Sequence, residues 1–433
     1  MSSEISSGWK VTSEKSNDEL SSLTFSAGQD ILQDEPYACC VDEIYLDIIC
    51  SYCIKQKEPN ACCPNCKRVN YCNDNCKEND RVLHDLECKV LRKAVPPACF
   101  PDSEIRLVVR AIDRAVRESR NEEESVGEFF GCRRSVYDLV THMEHLSDDV
   151  LDNTKKRAHH IFDLIREHMV VRETDVRVML QRCRINCHAI IEHDSPKRRV
   201  LGRAMYLAAS KLNHSCLPMT DYVQIFDGRT YRLRAFNNIQ ITDPLALTIN
   251  YVPSSRTLAD RQFILERNYY FKCRCARCVS QIQQGHLLTA EKDDADLTRE
   301  IIELLCLNRT RRSAEETYAT CRRILRKLRH LPDNTFDVNQ LLIRLQQASH
   351  EIGNFRASIR YGIRALKSNE SVLGQQACLF YLCQSFANLG YNNESEHKHH
   401  RVFLETLKLT KHLYRITHGR QHRLVHILNG LQK

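Results

Sequence analysis

Residues 272–278 read KCRCARC and contain three cysteines, Cys273, Cys275 and Cys278. A structural zinc ion takes four ligands in a tetrahedron, so this stretch is one ligand short of a complete site. The fourth ligand has to come from another part of the chain. Its identity decides which segments fold together and therefore most of what the sequence says about function.

The composition sets the class of protein. The chain has 433 residues, of which 42% are hydrophobic, and this is enough for two or three packed domains. No stretch approaches the roughly 20 apolar residues of a membrane span, and the N-terminus lacks the apolar core of a signal peptide. We therefore expect a protein of the cytoplasm and nucleus, without membrane association. In such reducing compartments, 22 cysteines indicate zinc and not disulfides.

The charge is only mildly basic. A net charge of +8 arises from 63 basic and 55 acidic residues, which is typical of a mixed, solvated surface. Nucleic-acid binding needs a basic stripe, and the sequence has none, so sequence-specific nucleic-acid binding is not expected. The segment SPKRR, residues 195–199, is open to two interpretations, a nuclear localisation signal or a solvated loop.

A second cysteine-rich segment, residues 50–88, contains four pairs of potential ligands. A gap of two residues lets both thiolates of a tight turn reach one metal, and a gap of three does the same across one helical turn. Eight ligands make two tetrahedral sites. The pairs are Cys50 with Cys53, Cys63 with Cys66, Cys72 with Cys76, and His84 with Cys88. Cys62 is an alternative to Cys63, which is preferred because it completes the two-residue gap.

This pattern resembles the MYND finger, in which the two sites interleave. The resemblance implies one zinc ion on Cys50, Cys53, Cys72 and Cys76, and another on Cys63, Cys66, His84 and Cys88. So small a module has little core, and metal binding supplies its folding energy. Its ligand sets are closed, which is typical of a binding module, and MYND fingers commonly dock proline-rich peptides. Proline-rich peptides are therefore an expected partner.

The charges of the finger argue against DNA binding by it alone. Four basic side chains give it a basic face, and five acidic side chains offset that charge. The basic residues are Lys67, Arg68, Lys77 and Arg81, and the acidic ones are Asp74, Glu78, Asp80, Asp85 and Glu87.

A candidate for the fourth ligand lies upstream of KCRCARC. Residues 210–218, SKLNHSCLP, place Cys216 after Asn213, His214 and Ser215. The following YVQIFDGRTYRLRAF predicts a hairpin, and LALTINYV predicts a buried strand that ends at Tyr251. This combination resembles the SET fold with its cysteine-rich post-SET segment, in which the cysteine of NHSC completes the zinc site. The resemblance thus implies a third zinc ion, bound by Cys216, Cys273, Cys275 and Cys278.

A zinc ion at this place would tie the post-SET segment over the cofactor and substrate face. Tyr269 and Phe271 then become walls of the cofactor pocket. The alternative is that the run Tyr269-Tyr270-Phe271 forms an ordinary aromatic packing cluster.

The order of these motifs resembles the SET-and-MYND-domain (SMYD) family of protein lysine methyltransferases. AGQDILQDEPYA, VYDLVTHMEHLSDD and LYRITHGRQHRLVHIL carry the likeness beyond the zinc ligands, and the last is most like the third class. The implied fold is α+β and multidomain: a β-rich SET fold split by a MYND finger, with a helical insert and a helical, tetratricopeptide (TPR)-like lobe. The expected domains are 1–49, N-terminal SET portion; 50–88, finger; 89–185, insert; 186–260, SET core; 261–284, post-SET; and 285–433, C-terminal lobe.

The C-terminal lobe can also be predicted from its own residues. Gly353 and Gly390 each follow a helical pattern, where a left-handed helix end favours glycine. They lie 37 residues apart, near the roughly 34 of a tetratricopeptide unit. Stacked helical hairpins are preferred, and an unspecialised helical bundle is the alternative.

The family resemblance also assigns the chemistry. It implies S-adenosylmethionine as methyl donor, Tyr251 as the catalytic tyrosine, and cofactor contacts from Asn186, Ser210, Asn213 and His214. Methyl transfer requires a neutral amine aligned with the methyl group and the leaving sulfur, so the site must desolvate the lysine. The expected substrates are histone or non-histone proteins, and the expected state is a monomer.

Three departures from the family pattern fall near the cofactor. Ser16-Asn17-Asp18 replaces a G-x-G motif, TDPLA replaces G-E-E, and Met219 replaces an asparagine. They raise an alternative function, a scaffold with weak or no catalysis that binds protein partners through its finger and helical lobe. A zinc-dependent nucleic-acid binder is a third and more distant interpretation.

Overall fold

The computed structural model describes residues 22–56, 61–93, 101–120, 127–217, 220–254, 256–284, 313–369, 371–393 and 397–432. Two of the predicted departures from the family pattern lie outside these ranges: Ser16-Asn17-Asp18, in place of G-x-G, and Met219. The structure therefore leaves these two predicted departures untested.

The described strands are short and form six small sheets. They are β1 Leu23–Phe25, β2 Asp30–Asp34, β3 Pro36–Val41, β4 Ala61–Cys62, β5 Asn70–Tyr71, β6 Gly127–Phe129, β7 Cys132–Arg134, β8 Cys187–Ile191, β9 Val200–Tyr206, β10 Asn213–His214, β11 Tyr222–Asp227, β12 Thr230–Ala235, β13 Ile239–Ile241 and β14 Thr248–Ile249.

Two three-stranded sheets join the N-terminal strands to strands far along the chain. One has the order β3-β9-β8, and the other has the order β11-β12-β2, with all pairs antiparallel. The predicted hairpin is present, with Asp227 paired to Thr230 and Gly228 at φ +63° in its turn. Because β2 and β3 precede the finger and their partners follow it, the finger interrupts one β-rich unit.

The described α-helices are distributed along the chain. They are α1 Asp74–Lys93, α2 Ser103–Ser119, α3 Asp148–Ile165, α4 Glu173–Asn186, α5 Leu258–Tyr269, α6 Ala276–Gln283, α7 Ala314–Lys327, α8 Phe336–Glu351, α9 Phe355–Ser368, α10 Val372–Asn388, α11 His397–His418 and α12 Arg423–Gly430. Among the described helices, none combines the length and the apolar character that crossing a bilayer requires.

The helical insert packs on the β-rich unit through a shared core. Buried side chains of α2, α3 and α4 form one cluster with residues of β3 and β9. The apolar positions of α2 at Ile105, Val108 and Ile112 recur at helical spacing and lie on its buried face. The insert is thus fastened to the sheet β3-β9-β8 by apolar burial.

The C-terminal lobe consists of successive packed helices. Helix α8 packs against α7 and α9, and α10 packs against α9 and α11. Gly353 and Gly390 both adopt positive φ, +78° and +79°, just past the ends of α8 and α10. The predicted helical lobe and its glycine helix ends are confirmed, and its likeness to tetratricopeptide repeats stays a prediction.

The lobe also touches the β-rich unit directly. Arg234 of β12 donates to the carbonyl of Thr417 at 2.8 Å, and Leu373 packs with Val223 and Ile225 of β11. These contacts place the end of α11 beside the hairpin β11–β12.

Candidate functional site

The first cysteine cluster of the finger lies at the start of α1. The sulfur atoms of Cys50, Cys53, Cys72 and Cys76 all lie within 4.8 Å of one another. Cys72 and Cys76 are 3.4 Å apart at sulfur, and Cys53 and Cys72 are 3.9 Å apart. A tetrahedral zinc ion with Zn–S bonds of about 2.3 Å places its sulfurs about 3.8 Å apart. The cluster therefore has the dimensions of a zinc site.

The second cluster brings Cys63, Cys66, His84 and Cys88 within the same 4.8 Å limit. All four side chains are buried, the sulfurs of Cys63 and Cys88 are 3.7 Å apart, and Nε2 of His84 lies 3.4 Å from the sulfur of Cys66. Cys62 is exposed. The structure therefore places Cys63, the preferred residue of the adjacent pair, among the potential ligands.

A buried ionic network lies behind this second cluster. Nδ1 of His84 is 2.7 Å from Oε2 of Glu87. The same carboxylate accepts hydrogen bonds from Arg110 at 2.6 Å, through Oε2, and from Arg106 at 2.7 Å, through Oε1. Arg110 also donates to Asp80 at 2.9 Å. Burial alone would raise the pKa of Glu87, but Arg110 and Arg106 hold it well below its usual value. A ligating histidine whose other nitrogen meets a carboxylate is fixed in orientation and tautomer.

This network corrects the sequence interpretation of the finger's charge. The sequence predicts that Asp80 and Glu87 help to offset a basic face of the finger, but both are buried against Arg110 of α2. Glu87 lies three residues after His84, on the same face of α1, and that spacing is the signal that could have identified it. Their partners come from α2, which sequence spacing does not connect to the finger.

The third cluster joins Cys216, just after β10, to the three cysteines of residues 273–278. The sulfurs of Cys216, Cys273, Cys275 and Cys278 lie within 4.8 Å of one another, with 3.8 Å between Cys216 and Cys273. The guanidinium of Arg261, on α5, lies 3.7 Å from the sulfur of Cys278. A cation beside four thiolates offsets part of the negative charge that such a zinc site carries.

Four rings assemble next to the third cluster, and we call them the aromatic box: His214, Tyr251, Tyr269 and Phe271. The ring centroid of Tyr251 lies 4.8 Å from that of Tyr269 and 5.2 Å from that of His214. The centroids of His214 and Phe271 are 6.0 Å apart. The hydroxyl of Tyr251 donates to the carbonyl of Leu212 at 2.7 Å. The structure thus brings the predicted catalytic tyrosine together with both predicted pocket walls.

His214 links the box to the metal cluster. Its Nδ1 accepts the backbone N–H of Tyr251 at 3.0 Å, and its Nε2 lies 3.1 Å from the sulfur of Cys216. Because Nδ1 is an acceptor, the neutral ring carries its proton on Nε2, facing that sulfur. Strand β10 pairs with β14 in parallel, with His214 opposite Ile249, and this pairing holds the two segments in place.

Burial keeps His214 and Tyr251 uncharged at neutral pH. It raises the pKa of Tyr251 to about 12, with the neighbouring Tyr269 adding to the effect. It also lowers the pKa of His214 to about 4. The box is therefore an electron-rich, uncharged surface near pH 7.

The remaining predicted contacts are placed less uniformly. Asn213 is exposed beside His214 on β10. The hydroxyl of Ser210 donates to the carbonyl of Leu207 at 2.9 Å. The amide of Asn186 donates to the carbonyls of Val140 and Arg182, at 2.8 and 2.9 Å, so it ties the end of α4 to the segment at Val140.

The three consecutive aromatic residues at the end of α5, Tyr269, Tyr270 and Phe271, differ in their contacts. Tyr270 adopts a left-handed backbone conformation with φ +61°, and its ring lies 5.7 Å from that of His142 in the insert. Tyr269 and Phe271 instead contact the rings of the box. All three rings pack against other aromatic rings, as the aromatic-cluster interpretation expects. Only Tyr269 and Phe271 face the box, so only these two remain candidates for pocket walls.

The TDPLA segment forms a capped turn of its own. Asp243 accepts the backbone N–H of Leu245 at 2.9 Å, and the short turn Pro244–Ala246 follows. Leu245 is exposed at the start of the approach to β14.

Comparison with known proteins finds lysine methyltransferases and a SET and MYND domain-containing protein to which this chain is similar. Histone-lysine N-methyltransferase SMYD3 of Homo sapiens is 24% identical over 417 residues, which cover 92% of this chain and 90% of that protein. Histone-lysine N-methyltransferase ASHR1 of Arabidopsis thaliana is 27% identical over 293 residues, covering 64% and 58%. A SET and MYND domain-containing protein of Dictyostelium discoideum is 25% identical over 304 residues, covering 61% and 58%. The chain is related to the SET-and-MYND-domain family.

This relationship confirms the resemblance drawn from the motifs. The match to SMYD3 covers 92% of this chain, so it extends into the C-terminal helices as well as the β-rich region. No protein-family model matches the chain. The mixed α and β architecture, the cysteine clusters and the helical C-terminal region are those expected for this SET-and-MYND-domain relative.

Proposed function

We propose that this chain is a protein lysine methyltransferase that uses S-adenosylmethionine and acts on histone or non-histone proteins. The observation that carries the proposal is the aromatic box, in which Tyr251, His214, Tyr269 and Phe271 converge beside the third cysteine cluster. Relatives named as lysine methyltransferases support the same reaction.

The residues present suit a sulfonium cofactor. A cation is attracted to the faces of aromatic rings, and the box offers such faces without a charged histidine, since burial lowers the pKa of His214 to about 4. Asn213, His214, Tyr269 and Phe271 would hold the cofactor, and Ser210 and Asn186 are proposed as further contacts. When bound, the cofactor supplies an electrophilic methyl group.

Tyr251 is proposed to orient the reacting amine and not to deprotonate it. Burial raises its pKa to about 12, so the phenol stays protonated at pH 7 and donates to the carbonyl of Leu212. Its oxygen can still accept a hydrogen bond from the substrate amine. His214 cannot serve as base through Nδ1, because that atom already accepts the N–H of Tyr251. Desolvation in the box would lower the pKa of the lysine, which would release its proton to solvent before transfer.

We further propose one zinc ion at each cysteine cluster, three in all. The first two would supply the folding energy of the finger. The third would set the position of Phe271, which lies two residues before Cys273, and through it the wall of the box. The closed ligand sets of the finger support a role in binding proline-rich peptides.

The test is transfer of labelled methyl groups to histones and to a mixture of cytosolic proteins. Tyr251→Phe removes only the hydroxyl and should abolish most of the labelling. Tyr222→Phe is the matched control, because that hydroxyl also donates to a backbone carbonyl, Thr248 at 2.8 Å, outside the box. Equal labelling by the Tyr251→Phe and unchanged chains would contradict the role given to Tyr251.

A scaffold without efficient catalysis is the second candidate, and one observation favours it. The side-chain amide of Asn186, a proposed cofactor contact, already donates two hydrogen bonds, to the carbonyls of Val140 and Arg182. As a scaffold, the chain would bind partners through its finger and helical lobe. Changes at Tyr251 or His214 would then leave partner binding unaltered, and the zinc-loaded chain would not bind the cofactor.

A further inference from the structure

Three histidines and an aspartate meet where the C-terminal lobe contacts the β-rich unit. His193 and Asp194 follow β8, His418 ends α11, and His422 precedes α12. The rings of His193 and His418 are stacked with centroids 3.9 Å apart, and His422 lies 5.0 Å from His193. Nε2 of His422 is 2.9 Å from a carboxylate oxygen of Asp194. The cluster contains none of the cysteines of the three sites described above.

His193 is the unusual member of this cluster. Both of its ring nitrogens are buried, and neither has a hydrogen-bond partner within the described ranges. Buried polar atoms without partners are rare, and an absent ion or water is a common explanation. His193 also lines two small cavities, of about 20 and 10 Å³, and Asp194 lines the second. A volume near 10 Å³ is about that of one bound water or ion.

One ligand atom each from His193, Asp194 and His422 lies within 4.8 Å of the other two. We propose that these three residues bind a divalent transition-metal ion that fastens the C-terminal lobe to the β-rich unit. Two imidazoles and a carboxylate suit zinc, cobalt or nickel, and a three-residue set leaves a position open for water. His418 positions the site, since its Nε2 lies 3.2 Å from the carbonyl of His193 and its ring stacks on that side chain.

The proton balance of His422 gives the proposal a specific signature. Nδ1 of His422 accepts the N–H of Leu424 at 3.2 Å, so the proton of the neutral ring is on Nε2 and faces Asp194. A metal ion bound at Nε2 needs that lone pair, and the proton moves to Nδ1. The hydrogen bond from Leu424 then breaks, and the Leu424 amide should exchange its hydrogen faster when metal is bound.

The experiment is a titration of the zinc-loaded, untagged full chain with cobalt(II), followed by absorption and calorimetry. It uses a background chain with His397, His399 and His400 changed to Gln, because this run of histidines is a competing ligand set. One cobalt equivalent is expected to bind, without the thiolate-to-metal absorption that exchange into a cysteine cluster would produce. The midpoint of thermal unfolding should rise as cobalt is added.

Variants locate the bound ion. His193→Gln and His422→Gln should each lose the cobalt equivalent, and His426→Gln should keep it because that exposed histidine of α12 lies outside the cluster. Asp194→Asn, which keeps the size of the side chain, provides a separate test if a histidine variant folds poorly, as judged by its zinc content and circular dichroism. Absence of the extra equivalent, or its retention in well-folded His193→Gln and His422→Gln chains, would overturn the proposal.

Discussion

The cysteine clusters and the aromatic box differ in how far apart in sequence their members lie. Each finger ligand has a partner three or four residues away, and a single turn of backbone brings the two together. The rings of the box come from three segments, around His214, at Tyr251 and at residues 269–271. Their meeting depends on the parallel pairing of β10 with β14 and on the third cluster. Local spacing therefore specifies metal sites well, whereas the box depends on tertiary structure.

The third cluster is where the two kinds of site meet. Cys216 follows His214 by two residues, and Cys273 follows Phe271 by two residues. A metal ion shared by these cysteines would fix both edges of the box at once. Chemistry at the box would then depend on a structural metal that touches no substrate.

The largest loss of stability is expected at the second finger cluster, which depends on charged side chains of α2. Arg110→Leu should destabilise the chain by about 3–5 kcal/mol, because it leaves Asp80 and Glu87 buried with too few cationic partners. Zinc bound at the second finger cluster should be released along with it. Arg81→Leu is the control, since its exposed pair with Glu78 contributes about 0–1 kcal/mol. Urea unfolding and zinc analysis measure both variants. Unchanged stability and zinc content in Arg110→Leu would show that the finger does not depend on the charges of α2.

Breaking the third cluster tests the link between metal and box. Cys216→Ser should release one zinc ion of three and expose the post-SET segment to proteolysis, while the finger keeps its metal. Cys62→Ser should release none, because Cys62 is exposed beside the second cluster. Metal analysis and limited proteolysis compare the two chains. Retention of all zinc by Cys216→Ser would require another fourth ligand.

A smaller effect is expected from the ring that joins box and cluster. His214→Ala should weaken cofactor binding about tenfold, since it removes one ring of the box and the acceptor for the Tyr251 N–H. His145→Ala, which changes an exposed histidine of the insert, should bind as the unchanged chain does. Calorimetry at full zinc loading makes the comparison. Equal affinities for the two variants would remove His214 from the cofactor site.

The smallest effect concerns nucleic acid. Any binding should depend weakly on salt, because basic side chains of α1 are paired, as Arg81 is with Glu78 and Lys89 with Asp85. A slope of log affinity against log salt of about −0.9 per contacted phosphate makes this measurable. A steep slope that Lys67→Ala with Arg68→Ala abolishes would instead indicate a nucleic-acid surface on the finger.

The sequence predicted turns and helix ends better than it predicted contacts between residues that are far apart in the chain. The hairpin at Asp227-Gly228 and the helix ends at Gly353 and Gly390 follow from backbone chemistry, and the structure has them. The pairing of Glu87 with Arg106 and Arg110 could not be predicted, because no spacing rule joins residues of different helices. The same holds for the bond of Asn186 to Val140. These surroundings determine whether a residue that matches a motif is free to bind a ligand.

Titration of the zinc-loaded chain with S-adenosylmethionine in a calorimeter tests the central claim, that the box assembled on the third cluster is a cofactor site. The account predicts saturable binding that Tyr251→Phe preserves, since that change keeps the ring, and that Cys216→Ser weakens at least tenfold (roughly 1.4 kcal/mol). No measurable binding by the fully zinc-loaded chain would contradict the claim and favour the scaffold.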